Sequence, residues 1–270
     1  MTACAKQVAA EVAEQPASGE RYFLESLDRG LSVLECFDEQ HRERTLSEVA
    51  QAVGITRSTA RRILLTLVDK GFLRLDGRTF SLTPRVLRFG FSYLAALRLP
   101  QVADPHIEAL AKELGETISV TILDGPDVVY VARVRSPRII RISITVGMRF
   151  PAYATSTGRV LLAGLSADAL DDYLKTTEFQ AFTQHTISDA EQLRAEVRKV
   201  AADGWSMSEN ELEIGIRGAA VPIRDRTGAV VAALNSSLQG TQYTRDDVAV
   251  SVVPKLVATA ERIGSDLSLG

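Results

Sequence analysis

From Ser26 onward, large apolar residues recur at helical spacing. Leu27, Leu31, Leu34 and Phe37 predict a first helix, closed by the charged stretch Asp38–Arg44. Thr45-Leu-Ser-Glu48 has the form of a capping box, in which the Thr hydroxyl takes an orphan amide and the Glu reaches back to the cap. It predicts a short second helix with Leu46, Val49, Ala50 and Val53 on one face, stopped by Gly54. Thr56 is a good N-cap for a third helix, whose stripe is Ala60, Ile63, Leu64, Leu67 and Val68 and which Gly71 ends. The pattern then changes. Phe72–Leu75 and Thr79–Leu82 are strand-like runs around Asp76-Gly77, a hairpin turn signal. Two short helices about a Gly turn, followed by a hairpin, predict a winged helix-turn-helix.

Thr83-Pro84 opens a further helix, over 84–98, with Leu87, Phe91 and Leu94 at helical spacing. It reads as a connector, and its apolar stripe as a place where partner chains are held. Pro100 and Pro105 set a boundary near residue 100. Beyond it the pattern alternates between helix and strand. Helices are predicted over 106–114, 157–164, 166–174, 189–203 and 244–266, the fourth opened by Ser188-Asp-Ala-Glu191. Strands are predicted over 117–123, 127–134, 138–146, 218–224 and 229–238, several in hairpin order. The fold class is therefore α+β. An expected mobile tail (1–20) precedes a winged helix-turn-helix domain (21–83), a connector helix (84–100) and a second domain (101–270) on an antiparallel sheet.

Composition narrows the picture. A 270-residue chain that is 46% hydrophobic and 24% charged excludes wholesale disorder. It holds no apolar run long enough to span a bilayer, so no membrane partner is expected. The N-terminus lacks the basic-then-apolar pattern of a secretory leader. Two cysteines, Cys4 and Cys36, make no disulfide framework, and a reduced, cytoplasmic setting is expected. His41, His106 and His185 lie too far apart to suggest a metal site. The net charge is −3, but residues 56–90 hold eight cations against two carboxylates, a net +6, which leaves −9 on the rest. A basic patch on an acidic body outlines a nucleic-acid reader joined to something else.

The chemistry follows this division. No nucleophile elbow, P-loop, dinucleotide fingerprint or zinc motif is present, so no catalytic residue, metal or cofactor is assigned. Candidate DNA contacts are Thr45 and Thr56 at the helix starts, Arg57, Ser58, Thr59, Arg61 and Arg62 on the third helix, and Arg78 beside the hairpin turn. In the second domain, the run Arg149-Phe-Pro-Ala-Tyr153-Ala-Thr-Ser156-Thr157-Gly158 leads into a helix. Free amides at a helix start bind anions, and Arg149 adds charge; the alternative is a plainly capped helix with Arg149 exposed. Asn235 and Ser237 share one strand face, either as a pocket wall or facing solvent. Glu209, Glu211 and Glu213 read as a solvated edge, and Trp205 as core.

Residues 22–265 resemble the IclR family of bacterial transcription regulators. The resemblance is carried by Ser26-Leu-Asp-Arg-Gly-Leu-Ser-Val-Leu34, by the winged helix and by Pro151–Ala163. Glu211-Leu-Glu-Ile-Gly-Ile-Arg-Gly-Ala-Ala-Val-Pro222, Asp225-x-x-Gly228 and Val230–Ser237 complete it. The wording of residues 149–159 is similar to the branch that governs protocatechuate, β-ketoadipate and 4-hydroxybenzoate catabolism. The resemblance implies a GAF-like effector domain, a homodimer or dimer of dimers on double-stranded operator DNA, and control by a small aromatic or dicarboxylic acid without a cofactor. It implies effector contacts from the amides of Ser156 and Thr157 and from Asn235 and Ser237. An acidic contact of some members falls here on Ser208. A frequent Cys is replaced by Gly218, which reads either as room for a larger acid or as a neutral change. Two other classes stay open at this point: an enzyme with a DNA-binding autoregulatory domain, and a constitutive DNA-binding dimer without effector.

Overall fold

The computed structural model describes residues 23–38, 40–136, 144–239 and 243–268. The tail 1–20 therefore lies outside the described residues. The chain divides into two units, 1–89 and 90–270.

In the first unit, α1 (Glu25–Glu35) precedes β1 (Glu43–Thr45), α2 (Leu46–Val53), α3 (Arg57–Asp69), β2 (Leu73–Asp76) and β3 (Thr79–Leu82). The helices converge on a core of Val33, Phe37, Val49, Leu64, Leu73 and Phe80. Thr45 has two jobs. Its backbone pairs with Thr79 at the end of β1, and its hydroxyl accepts the Glu48 amide at 3.4 Å while the Glu48 carboxylate accepts the Thr45 amide at 2.7 Å. Gly54 then ends α2 in the left-handed conformation (φ +69°), which turns the chain tightly into α3. The charged stretch expected to be a loop ends instead in β1, which makes the small sheet three-stranded in the order β1-β3-β2. Glu43-Arg44-Thr45 carries no apolar alternation, and its place comes from the ladder that β3 offers.

The connector departs from its prediction. After a 3₁₀ turn (Pro84–Val86), α4 covers Leu87–Ala96, and α5 runs from Arg98 to Leu114 without a break at residue 100. Pro100 lies in the first turn of α5, where an amide has no intrahelical partner to lose, and Pro105 is carried inside the helix. The chain bends instead at Leu97, which is extended.

The second unit is built on a six-stranded, wholly antiparallel sheet in the order β6-β5-β4-β9-β8-β7. The strands are β4 (Thr117–Asp124), β5 (Asp127–Val134), β6 (Arg149–Pro151), β7 (Ser206–Glu209), β8 (Ile216–Arg224) and β9 (Val230–Gln239). The helices between them are α6 (Ser156–Ala163), α7 (Ala167–Thr176) and α8 (Ala190–Asp203), and α9 (Val253–Ser268) ends the described chain. Alternation gives the sheet two faces. Ile118, Val120, Val221, Ile223, Leu234 and Leu238 meet α5 and α9 in one core. Val128, Tyr130, Ala220 and Ala233 meet α6, α7 and α8 in the other. The predicted strand 138–146 falls mostly outside the described residues, and Ile144–Val146 are not in a strand. The cap of α8 is Asp189, one residue past the predicted Ser188, and its carboxylate accepts the Gln192 amide at 2.8 Å. Strands β6 and β7, three and four residues long, were too short to show a period.

Candidate functional site

The basic surface of the first unit sorts into cations that serve the fold and cations that do not. Arg74 donates to Ser81 Oγ at 2.9 Å, and Arg85 lies 5.1 Å from the centroid of the Phe72 ring. Arg57, Arg61 and Arg62 on α3 and Arg78 beside the hairpin turn are exposed, and none is in an ion pair among the described residues. Arg62 and Thr59 border a groove that also takes in Phe23, Leu24 and Arg29, so Arg62 stands to one side of α3. The hydroxyls at the start of α3 form a cluster. Thr56 Oγ1 lies 2.9 Å from both Ser58 Oγ and Thr59 Oγ1 and accepts the Thr59 amide at 3.2 Å. Thr45 and Thr56 are thus already occupied as caps, while the arginines are free to reach a polyanion.

In the second unit, the start of α6 is fixed by contact rather than by charge. A side chain on Gly158 would place its Cβ 2.0 Å from the Ala152 carbonyl oxygen, so only glycine lets the helix approach the preceding turn. Thr155 caps the helix, with its hydroxyl accepting the Gly158 amide at 2.9 Å. Its carbonyl accepts the Arg159 amide at 3.1 Å. The amides of Ser156 and Thr157 are left as open donors among the described residues, at the positive end of the helix dipole.

Beneath this helix start lies a polar strip of the sheet. Register places Ser206, Ala220, Asn235, Ser119 and Arg133 in one row across five strands, all on the α6 face. Asn235 Nδ2 donates to Ser156 Oγ at 3.3 Å, and Ser237 Oγ donates to Asn235 Oδ1 at 3.3 Å. A Cβ built on Gly218 would lie 2.9 Å from Ser156 Oγ, 3.0 Å from Asn235 Nδ2 and 3.4 Å from Ser208 Oγ. Three polar groups therefore converge on the space that Gly218 leaves. Arg133 closes the row. Its Nη1 donates to Ser119 Oγ at 3.1 Å, its guanidinium carbon is 5.9 Å from the Tyr130 ring centroid, and its buried Nε has no partner. Burial holds the Arg133 pKa below its ordinary value; the Tyr130 phenol opposes that shift and Arg135 adds to it. Burial pushes the Tyr130 phenol up to about 12. The hydroxyls of Thr121 and Ser206, on the same face, are also buried without partners.

The other sequence candidates stand elsewhere. Arg149 is not part of this group: its guanidinium is held by Asp124 and Asp127 at the surface. The Tyr153 hydroxyl is spent on Gln180, accepting its amide at 2.8 Å and donating to its carbonyl at 3.0 Å. Glu211, expected on a solvated edge, is buried in an ion pair with Arg159, and Glu209 pairs with Arg217. Trp205 packs half-buried against the α5/α9 core, under Arg245. Arg133, Ser119, Thr121 and Ser206 join the site through sheet register, which no local motif announces. Thr117, Ser119 and Thr121 alternate through an otherwise apolar strand as Asn235 and Ser237 do, and that was the available signal.

Residues 26–77 match the IclR helix-turn-helix domain, and residues 91–265 match the C-terminal domain of the bacterial transcriptional regulator IclR. The chain belongs to the IclR family. It is a DNA-binding transcriptional regulator. The Pca regulon regulatory protein of Pseudomonas putida is 38% identical, over 91% of this chain and 85% of that protein. A solved structure from Rhodococcus sp. RHA1 is 49% identical with a TM-score of 0.79, covering 91% of this chain and 98% of that one. An IclR homologue from Microbacterium hydrocarbonoxydans, solved in complex with 4-hydroxybenzoate, is 27% identical with a TM-score of 0.76, covering 90% and 98%. Among the described residues no helix is long and apolar enough to cross a membrane.

Proposed function

We propose that this IclR-family member governs aromatic-acid catabolic genes from the cytoplasm. On this reading a small organic acid lodges between the start of α6 and the polar strip beneath it. One observation carries the reading: Arg133, a half-buried cation whose Nε is buried without a partner, shares a sheet row with Asn235, which donates to Ser156 at the helix start where the amides of Ser156 and Thr157 are open. A buried charge without a counter-ion is costly, and an incoming carboxylate would relieve that cost. The pca-regulon relative and the 4-hydroxybenzoate-bound homologue support the same chemical class. The acid acts by binding one arrangement of the regulator more tightly than another. Leu87, Phe89, Phe91 and Tyr93 leave α4 apolar and exposed on two sides, which supports a homodimer or dimer of dimers closed around this helix. Titration of protocatechuate, 4-hydroxybenzoate and β-ketoadipate by calorimetry, each against its amide or ester, tests the reading. The acids should bind and the neutral forms should bind far worse. Equal affinity for acid and amide would overturn the carboxylate site, and no heat from any acid would overturn the effector.

A further inference from the structure

Arg159 sits one helical turn into α6, with its side chain only 2% exposed, and its partner Glu211 is 8% exposed. The guanidinium ties its own helix to two other pieces of chain. The residue itself belongs to α6, Nε donates to the Tyr153 carbonyl at 3.2 Å, and Nη2 donates to the Glu211 carboxylate. Glu211 lies in the segment between β7 and β8, which has no regular structure but is held from behind. Thr186 Oγ1 donates to the Glu211 carbonyl at 2.6 Å, and Thr183 Oγ1 donates to the Asn210 carbonyl at 2.6 Å. Asn210 itself has a left-handed φ of 59° and takes the Gly215 amide on its side-chain oxygen at 2.6 Å.

Stability is a poor explanation for such a pair. Desolvation offsets much of the attraction between buried charges, and a matched apolar pair is often as stable or more so. A planar guanidinium does something an apolar pair does not: it fixes the direction of several acceptors together. Here those acceptors are the turn just before the open amides of α6 and a loop that Thr183 and Thr186 hold from its other side. We propose that Arg159 and Glu211 are positioning residues for the acid-binding site. Through Tyr153 and the helix they hold the amides of Ser156 and Thr157 in register over Asn235, without touching the acid. The inference rests on the effector reading given above.

The test uses the full-length protein, Glu211→Gln, and the volume-matched double variant Arg159→Met/Glu211→Met, which removes both charges and leaves neither buried alone. Protocatechuate, 4-hydroxybenzoate and β-ketoadipate are titrated in parallel, with 4-hydroxybenzamide as the neutral control. The variants should melt cooperatively and bind operator DNA without acid as the wild type does. Kd for the acid should rise at least tenfold, and the advantage of 4-hydroxybenzoate over its amide should shrink. A merely structural role would lower the melting temperature and leave that advantage intact. A folded double variant that binds the acids within threefold of wild type would overturn the proposal. Wild-type protein that binds none of the acids would instead overturn the effector reading, and the positioning role with it.

Discussion

Arg133 shares the α6 face of the sheet with Ser119 and Asn235, and the row they form holds no carboxylate. A protein selected only for stability would place an apolar residue there. Arg133→Met is therefore expected to raise the melting temperature while weakening the acid. Loss of a charge-assisted bond costs about 1.5–3 kcal/mol, roughly ten- to a hundredfold in Kd. Thermal melts and calorimetry on one preparation read both effects, and a variant that loses stability and keeps affinity would give Arg133 a structural role. Asn235→Ala should weaken the acid and leave acid-free operator binding unchanged, as measured by fluorescence anisotropy. Asn235 was legible in the sequence because a polar pair interrupts an apolar strand. Arg133 was not, because a single cation near a strand end reads as surface. Arg149 is near the helix in sequence, but pairing across the sheet decides what shares a face, and two aspartates hold its guanidinium.

The elements that the sequence punctuates well were the easiest to place. Thr45, Gly54, Thr56 and Gly71 bracket α2 and α3, and each bracket is a local hydrogen bond or a backbone turn. Strand β1 owes its existence to β3, and α5 runs through two prolines because the unit it packs against outweighs the local signal. Such tertiary effects leave no mark in a short window. Thr45→Ala should remove the cap of α2 and destabilise the winged unit by about 1 kcal/mol, read by denaturant unfolding. Acid should act on the same contact. The Thr45 amide and hydroxyl hold the Glu48 carboxyl below its usual range. Its contribution is present above the ordinary glutamate pKa and is lost as pH falls through the depressed value. On α3, Arg57→Ala and Arg61→Ala should weaken operator binding while Arg74→Ala acts mainly on the fold. A base-reading arginine costs about 1–3 kcal/mol at one base pair, and a phosphate-holding one flattens the salt dependence. Anisotropy across a salt series separates the two, and wild-type behaviour in both variants would move the DNA interface off α3.

At the scale of the whole molecule, the connector stripe expected from spacing divides in two. Leu94 turns against the α5/α9 core, whereas Leu87 and Phe91 stay exposed. On the proposed closure of a dimer around α4, Phe91→Glu should shift the mass measured by light scattering towards monomer without unfolding the chain, and an unchanged mass would overturn that closure.

The strand order has a consequence for how the protein is made. The core and the small sheet of the winged unit are built from residues 33–82, but β4 waits for β9, whose Ser237 pairs with Thr117 from 120 positions away. Because β9 lies between β4 and β8, the sheet has no middle until almost the whole chain has left the ribosome. Pairings of such long range form late, and an unpaired strand edge is prone to aggregate in the meantime. The nascent regulator thus has a finished DNA reader before it has a sensor. A nonsense mutation ahead of Val230 would yield a chain that folds at one end, exposes a bare edge at the other, and collects in the insoluble fraction.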